Sequence, residues 1–216
     1  RAGKLKHAAT LDDYANMTRA AVSLYEATGN ADYIDTARSW IGVLDTHFWD
    51  ADRGGYFFTA DDTEALIIRT KSAADNATPS GNSTIAAMLA RLHYLTGEAT
   101  YRTRAEEIFT AFGGEVSKNF FTLTGLLCAN EILQRCAQVV IIGEREDEDA
   151  NALLDTVWKA PNMNKLIQRI TPDEALPDGH PATGKWQEGG RATAYVCVGQ
   201  TCSLPLTTPA ALRDAL

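Results

Sequence analysis

Residues 24–37 read LYEATGNADYIDTA, and residues 92–105 read LHYLTGEATYRTRA. Set side by side, Leu24, Thr28, Gly29, Tyr33 and Ala37 match Leu92, Thr96, Gly97, Tyr101 and Ala105 at one constant offset. Five matches in one register mark a repeated unit. In each copy the glycine stands where a stripe of apolar residues stops and another begins, as at the end of a helix. The repeat therefore predicts two helical hairpins.

The flanking residues supply the stripes. Leu11, Tyr14, Thr18, Ala21, Val22 and Tyr25 recur at three and four before Gly29; Ile34, Ala37, Trp40, Ile41, Leu44 and Phe48 do so after it. In the second copy Ile85, Met88, Leu89, Leu92 and Leu95 lead to Gly97, and Tyr101, Ala105, Ile108, Phe109 and Phe112 follow. The helix after Ser80 adds Ala86, Ala87 and Ala90, so it is apolar nearly all round and is expected to be an inner, buried helix. Its partner alternates Arg102, Arg104, Glu106 and Glu107 against its stripe, as an outer helix facing water does.

A fifth helix is expected over about 121–134. The period then changes to the continuous run Val139-Val140-Ile141-Ile142-Gly143, the pattern of a buried strand. A helix through Ala152–Trp158, strands at 166–170 and 192–197, and a last helix capped by Thr208 with Pro209 at its first position complete a β-α-β-based segment. The expected division is 1–136, helical hairpins, and 137–216, a small α/β subdomain.

Composition removes several function classes. The net charge is -8 with basic residues scattered, so no surface for nucleic acid is expected. No apolar run approaches the roughly 20 residues that span a bilayer, and RAGKLKHAAT lacks the apolar core of a secretory signal. A cytoplasmic location without membrane contact is the expectation. Cys128, Cys136, Cys197 and Cys202 are too few for a disulfide scaffold and are expected to be reduced; for the pair Cys197 and Cys202, structural thiols are the first reading and a reversible disulfide the second. The chain opens on Arg1 rather than Met, which suggests a piece of something longer.

Between the two hairpins lies HFWDADRGGYFFTADD, residues 47–62. Gly54-Gly55 suits a tight turn and Tyr56-Phe57-Phe58-Thr59 has strand composition, so a β-hairpin at the mouth of a helical ring is expected. Asp50, Asp52 and Asp61 imitate part of a calcium loop, but Gly54 falls where an oxygen ligand is wanted and Asp61 replaces the bidentate Glu. No metal and no cofactor is expected. His47 and His93 show no ligand partner in the sequence. The loop after Val139–Gly143 is acidic and has no glycine cradle, which rules out a nucleotide site there.

A second polar island, Asp75-Asn76-Ala77-Thr78-Pro79-Ser80-Gly81-Asn82-Ser83, precedes the inner helix. Two readings stand. Ser80 or Asn82 caps the helix; or the helix start aims Asp75, Ser80, Asn82 and Ser83 into a central cavity, where they suit a hydroxylated ligand. Asp13 and Tyr14 open the first inner helix in the same position. Acidic residues there either favour the helix dipole or converge with Asp75 as an acid-base pair. Asp13 and Asp75 are the catalytic candidates.

LDDYA, LYEATG, FWDADRGGYFFT, TPSGNS, VVIIG and ATAYVCVGQTCSLPLTTPAAL, in that order, resemble the C-terminal region of the thioredoxin-domain-containing family that includes mammalian spermatogenesis-associated protein 20 and bacterial YyaL. The resemblance runs from about Leu11 to Leu216. It implies a thioredoxin-like domain followed by an (α/α)6 toroid related to the N-acylglucosamine 2-epimerase and six-hairpin glycosidase folds, of which this chain holds about half. The fold expected is thus mainly α: a partial (α/α)6 toroid with a β-hairpin insert, plus the small α/β subdomain. The family's redox cysteine pair maps to no residue here.

The resemblance also implies a sugar cleft beside the insert, with Trp49, Tyr56 and Phe57 offering flat faces and Asp50 and Asp52 at the rim; alternatively the aromatics pin the insert to the helices. Two functions follow as expectations, a carbohydrate-handling toroid of epimerase or glycosidase type and a non-catalytic docking module for the thioredoxin-like domain. A half ring also exposes inner helices, which favours pairing with a second copy.

Overall fold

Both copies of the repeat end their first helix in the same way. Gly29 (φ 68°) and Gly97 (φ 78°) take the left-handed cap, their N–H groups donating to Tyr25 O and His93 O. Thr28 Oγ1 donates to Leu24 O and accepts from Asn30 N; Thr96 Oγ1 donates to Leu92 O and accepts from Glu98 N. Matching residues thus make matching bonds, and Ala37 and Ala105 are both fully buried where the hairpins fold back.

The computed structural model describes residues 6–63, 67–162, 164–176, 180, 182–199 and 201–216. Helices α1 (Leu11–Thr28) and α2 (Asp32–His47) form the first hairpin, and α3 (Gly81–Thr96) and α4 (Ala99–Val116) the second. A 3-10 turn at Phe120–Leu123 leads into α5 (Thr124–Arg135). Helix α3 packs between α1 and α5, with α4 behind it and α2 behind α1. This makes two layers, and α3 is the buried centre: Ile85, Ala86, Leu89, Ala90 and Leu92 have no exposed surface. The protein is mainly α with a small β part.

The β part begins with β1 (Ala137–Ile142), α6 (Glu148–Lys159) and β2 (Lys165–Ile170), a parallel β-α-β unit. Strands β3 (Thr193–Val198) and β4 (Thr201–Cys202) add antiparallel neighbours, giving the order β2-β1-β3-β4, and α7 (Pro209–Ala215) closes the chain. One face, with Val139, Ile141, Ile167 and Val196, packs under α6 and α7 through Leu153, Val157 and Leu212. Burial on both faces explains the unbroken apolar run of β1.

The helical layers meet the sheet at edge strand β2. Glu26, on α1, pairs with Arg91 on α3 at 3.2 Å and accepts from Ile167 N at 3.1 Å, so it satisfies an N–H the edge leaves over. Burial raises the Glu26 carboxyl even though Arg91 opposes it. Gln168 donates to Leu95 O at 3.1 Å, and Arg145 reaches Thr28 O and Gly29 O.

Two expectations are corrected here. The insert is a shorter hairpin than expected: its arms pair through one antiparallel bridge, Trp49 to Tyr56, made by Phe57 N to Phe48 O and Asp50 N to Gly55 O, beyond which Phe58 N donates to Thr70 O. Cys197 and Cys202 are joined in a disulfide, since the β3–β4 hairpin makes them register partners with Cα atoms 4.0 Å apart. Cys128 and Cys136 are free. No helix among the described residues is long and apolar enough to cross a membrane.

Candidate functional site

The leading ends of the inner helices lie side by side, and glycines make this possible. A Cβ on Gly81 would stand 2.5 Å from Asp12 Oδ1 and 2.6 Å from Leu11 Cγ; one on Gly125 would stand 2.9 Å from Asp75 Oδ1 and 3.0 Å from Ser83 Cβ. Only a residue without a side chain fits either place. Asp75 ties two of these ends together, accepting from Ser80 N at 3.0 Å and from Gly125 N at 2.6 Å. Ser80 caps α3, its hydroxyl accepting from Ser83 N at 3.1 Å.

The insert is fastened to this end by buried polar groups. The Asn82 carboxamide accepts from Tyr56 N and donates to Tyr56 O, both at 2.8 Å, and donates to Ser72 O at 3.0 Å. Ser83 Oγ donates to Ala73 O. At the Gly54-Gly55 turn (φ 69° and 76°) Asp50 accepts from Asp52 N and Arg53 N and pairs with Lys71 at 2.6 Å. The Lys71 hydrogen bond is the main reason the Asp50 carboxyl is held below its usual range.

Between insert and helix ends a cleft of about 180 Å³ remains. Asp12, Phe58, Thr70, Ser72, Thr78 and Ser80 line it, with Asn82 at its base. Its polar chemistry is that of hydroxyls, one carboxylate and the Asn76 and Asn82 carboxamides, beside the Phe58 ring and the Leu11 and Pro79 side chains. Burial lifts the Asp12 carboxyl above its usual range, and Asp13 adds to the lift, while the Gly81 N–H opposes it. A carboxyl poised in this way can hold or release a proton nearer neutrality than a surface aspartate.

Of the residues singled out from sequence, Ser80 and Asn82 reach the cleft and the others are placed elsewhere. Asp13 turns back on Thr10, accepting from its N–H at 2.8 Å and its hydroxyl at 2.9 Å. Tyr14 packs edge-on against Phe48, and Tyr56 is fully buried with its hydroxyl donating to Asp45 at 2.6 Å. Trp49 meets Tyr56 edge-on and is covered by Arg104, 3.8 Å from the ring, on the side of α4. Phe57 lies under Arg69. Tyr56 and Phe57 therefore pin the insert, while Trp49 and Asp52 line a separate cavity of about 380 Å³ against α4, away from this cleft. Ser83, Asp50 and Asp75 are committed to the bonds given above.

Asp12, and not Asp13, lines the cleft, and the sequence carries a signal for that difference. Thr10-x-x-Asp13 has the spacing of a capping box, which consumes Asp13 and leaves its neighbour for other work. His47 also gains partners that the sequence did not show, Asp61 Oδ1 at 2.9 Å and Asp62 Oδ2 at 3.7 Å, and His93 Nδ1 lies 3.1 Å from Glu98 O. The His47, Asp61 and Asp62 ligand atoms lie within 4.8 Å of one another, a spacing that a metal could share. The His47–Asp61 hydrogen bond at the end of α2 accounts for the same geometry.

No family model matches the chain. Over 95% of its length it is 33% identical to human spermatogenesis-associated protein 20, and over the same share it is 32% identical to the rat and mouse proteins of that name. The chain spans 27% of the length of each of these relatives. It is thus homologous to a partial region of spermatogenesis-associated protein 20.

Proposed function

We propose that the helical layers are part of an (α/α)6 toroid of the carbohydrate-handling type, and that the cleft at the leading ends of α1 and α3 binds a small hydroxylated molecule. One observation carries this reading: a carboxylate, four hydroxyl side chains and an aromatic ring share a cavity of about 180 Å³. Hydroxyls and carboxylates match a polyol because they supply donors and acceptors together. The volume lies below the roughly 300 Å³ of an ordinary small-molecule site, so the ligand is one ring or smaller.

In this proposal Asp12 is the carboxylate that meets the ligand. Sugar epimerisation and glycoside hydrolysis both need a second acid-base group. Asp75, which accepts from Ser80 N beside the cleft, is the candidate, but its oxygens are already taken by Ser80 N and Gly125 N. The reading is therefore one of binding, with turnover dependent on Asp75 giving up one of those bonds. Titration calorimetry with a panel of mono- and disaccharides tests it. Saturable heat with at least one sugar, weakened about tenfold by Asp12→Asn, is the expected result; no heat with any sugar would refute it.

A second reading is a docking module for a thioredoxin-like domain. It draws on Phe120 and Phe121, which stack at 4.4 Å with 51% and 76% of their surface exposed, just before α5. Under that reading Asp12→Asn leaves partner binding unchanged, and Phe121→Ser weakens it.

A further inference from the structure

The disulfide between Cys197 and Cys202 lines no part of the cleft, and its place in the sheet gives the two sulfurs different access. Cys197 is on β3, 5% exposed, in the apolar cluster of Val140, Ile142, Ile170 and Tyr195. Cys202 is exposed and belongs to β4, which is two residues long and ends the strand order with β3 as its neighbour. An incoming thiolate therefore meets Cys202 and not Cys197.

The hairpin has other bonds that keep its arms together. Ser203 N donates to Val196 O at 2.8 Å, and Val196 N donates to Ser203 Oγ at 3.1 Å. Further along, Ala194 N donates to Leu206 O at 2.8 Å and Leu206 N to Ala194 O at 2.9 Å, and Leu206 packs against the apolar face under α6 and α7. Opening the S–S bond thus leaves two thiols as register partners in a folded sheet. That arrangement selects the reductant. A monothiol that attaches to Cys202 is expelled again by Cys197, whose effective concentration beside it is high. A dithiol escapes this return, because its own second thiol releases it from Cys202 as a cyclic disulfide.

We propose that Cys197 and Cys202 form a reversible redox couple that works in the folded chain and takes its electrons from a dithiol. One thiolate of the dithiol attacks Cys202 Sγ, the S–S bond breaks, and Cys197 leaves as a thiolate that takes up a proton. The second thiol of the reductant then attacks its own sulfur in the mixed disulfide, and Cys202 leaves and is protonated in turn. Two electrons and two protons have passed from the dithiol to the protein. The couple does not depend on the sugar reading.

Incubation of the full chain without denaturant, in dithiothreitol or in glutathione, tests this when followed by alkylation and peptide mass mapping. About 1 mM dithiothreitol is expected to open the bond in nearly all chains, and about 10 mM glutathione in fewer than about a tenth of them. The opened chain is expected to keep its circular dichroism spectrum and to close again in oxidised dithiothreitol. Iodoacetamide is expected to modify Cys202 in Cys197→Ser at least about tenfold faster than Cys197 in Cys202→Ser. A bond that dithiothreitol opens only in urea, an opened chain that loses its fold or does not close again, glutathione as effective as dithiothreitol, or equal alkylation rates would each overturn the proposal.

Discussion

The α1–α3 pair is closed differently at its two ends. At the leading end, the insert is tied down by side chains that the sequence marks as reactive: Asn82 makes three hydrogen bonds, Asp75 holds two helices, and Lys71 and Asp50 pair in the turn. At the trailing end, the described residues after β2 are held by short-range bonds, among them Thr171 N to Glu174 and Ala182 N to His180 Nδ1, beside Ile34, Leu95 and Leu176. The first end spends its polar groups on structure and keeps a cleft of about 180 Å³; the second borders a cavity of about 300 Å³. A polar residue beside a backbone-rich loop is therefore more often consumed by that loop than free for a ligand.

Truncating one residue at each end is the strongest way to break this contrast. Asn82→Ala strands Tyr56 N and Tyr56 O in a buried place, releases Ser72 O, and is expected to cost about 3 kcal/mol in urea unfolding. His180→Ala loses one hydrogen bond and is expected to cost about 1 kcal/mol. Equal losses would mean that the two ends are tied alike.

A smaller effect, of opposite sign at two glycines, sharpens the picture of the leading end. Gly81→Ala drives a methyl into Asp12 and Leu11 and is expected to destabilise by about 2 kcal/mol. Gly113→Ala on α4 meets nothing within 4 Å and is expected to stabilise by about 0.5–1 kcal/mol through helix propensity. Thermal melts of the two variants read both signs.

The smallest effect expected is in pH dependence, where Asp12 and Asp50 act oppositely. The Asp50 carboxyl is lower in the folded chain, so its contribution is present above the unfolded value of about 3.9 and is lost as pH falls through the folded value. The Asp12 carboxyl is higher in the folded chain, so the fold favours its protonated form. Stability then declines as pH rises from about 3.9 through the raised folded value. Melting curves from pH 3 to 7 check the signs: Asp50→Asn should remove a rise with pH, and Asp12→Asn a decline.

The layers were legible because each position does one job. Gly29 and Gly97 cap, Ala37 and Ala105 let helices approach, and β1 is buried on both faces, so its run of valine and isoleucine has a single meaning. The insert was harder because Tyr56–Thr59 carries strand composition, yet after the bond from Phe57 N to Phe48 in the facing arm its partners are Thr70 and Asn82, outside the insert. Asp12 and Asp13 differ by one step around a helix: Asp13 is taken by Thr10, while Asp12 lies against Gly81 and lines the cleft. The Cys197–Cys202 bond depended on the register of β3 and β4, which spacing alone does not state.

Amide NMR mapping of a hexose titrated into the isotope-labelled chain tests the central claim most directly, because it reads both ends of α1 and α3 in one spectrum. Shifts confined to Asp12, Ser72, Thr78, Ser80 and their neighbours, and absent in Asp12→Asn, are the predicted result. Shifts gathered around Tyr25 and His180, or none at saturating sugar, would contradict it.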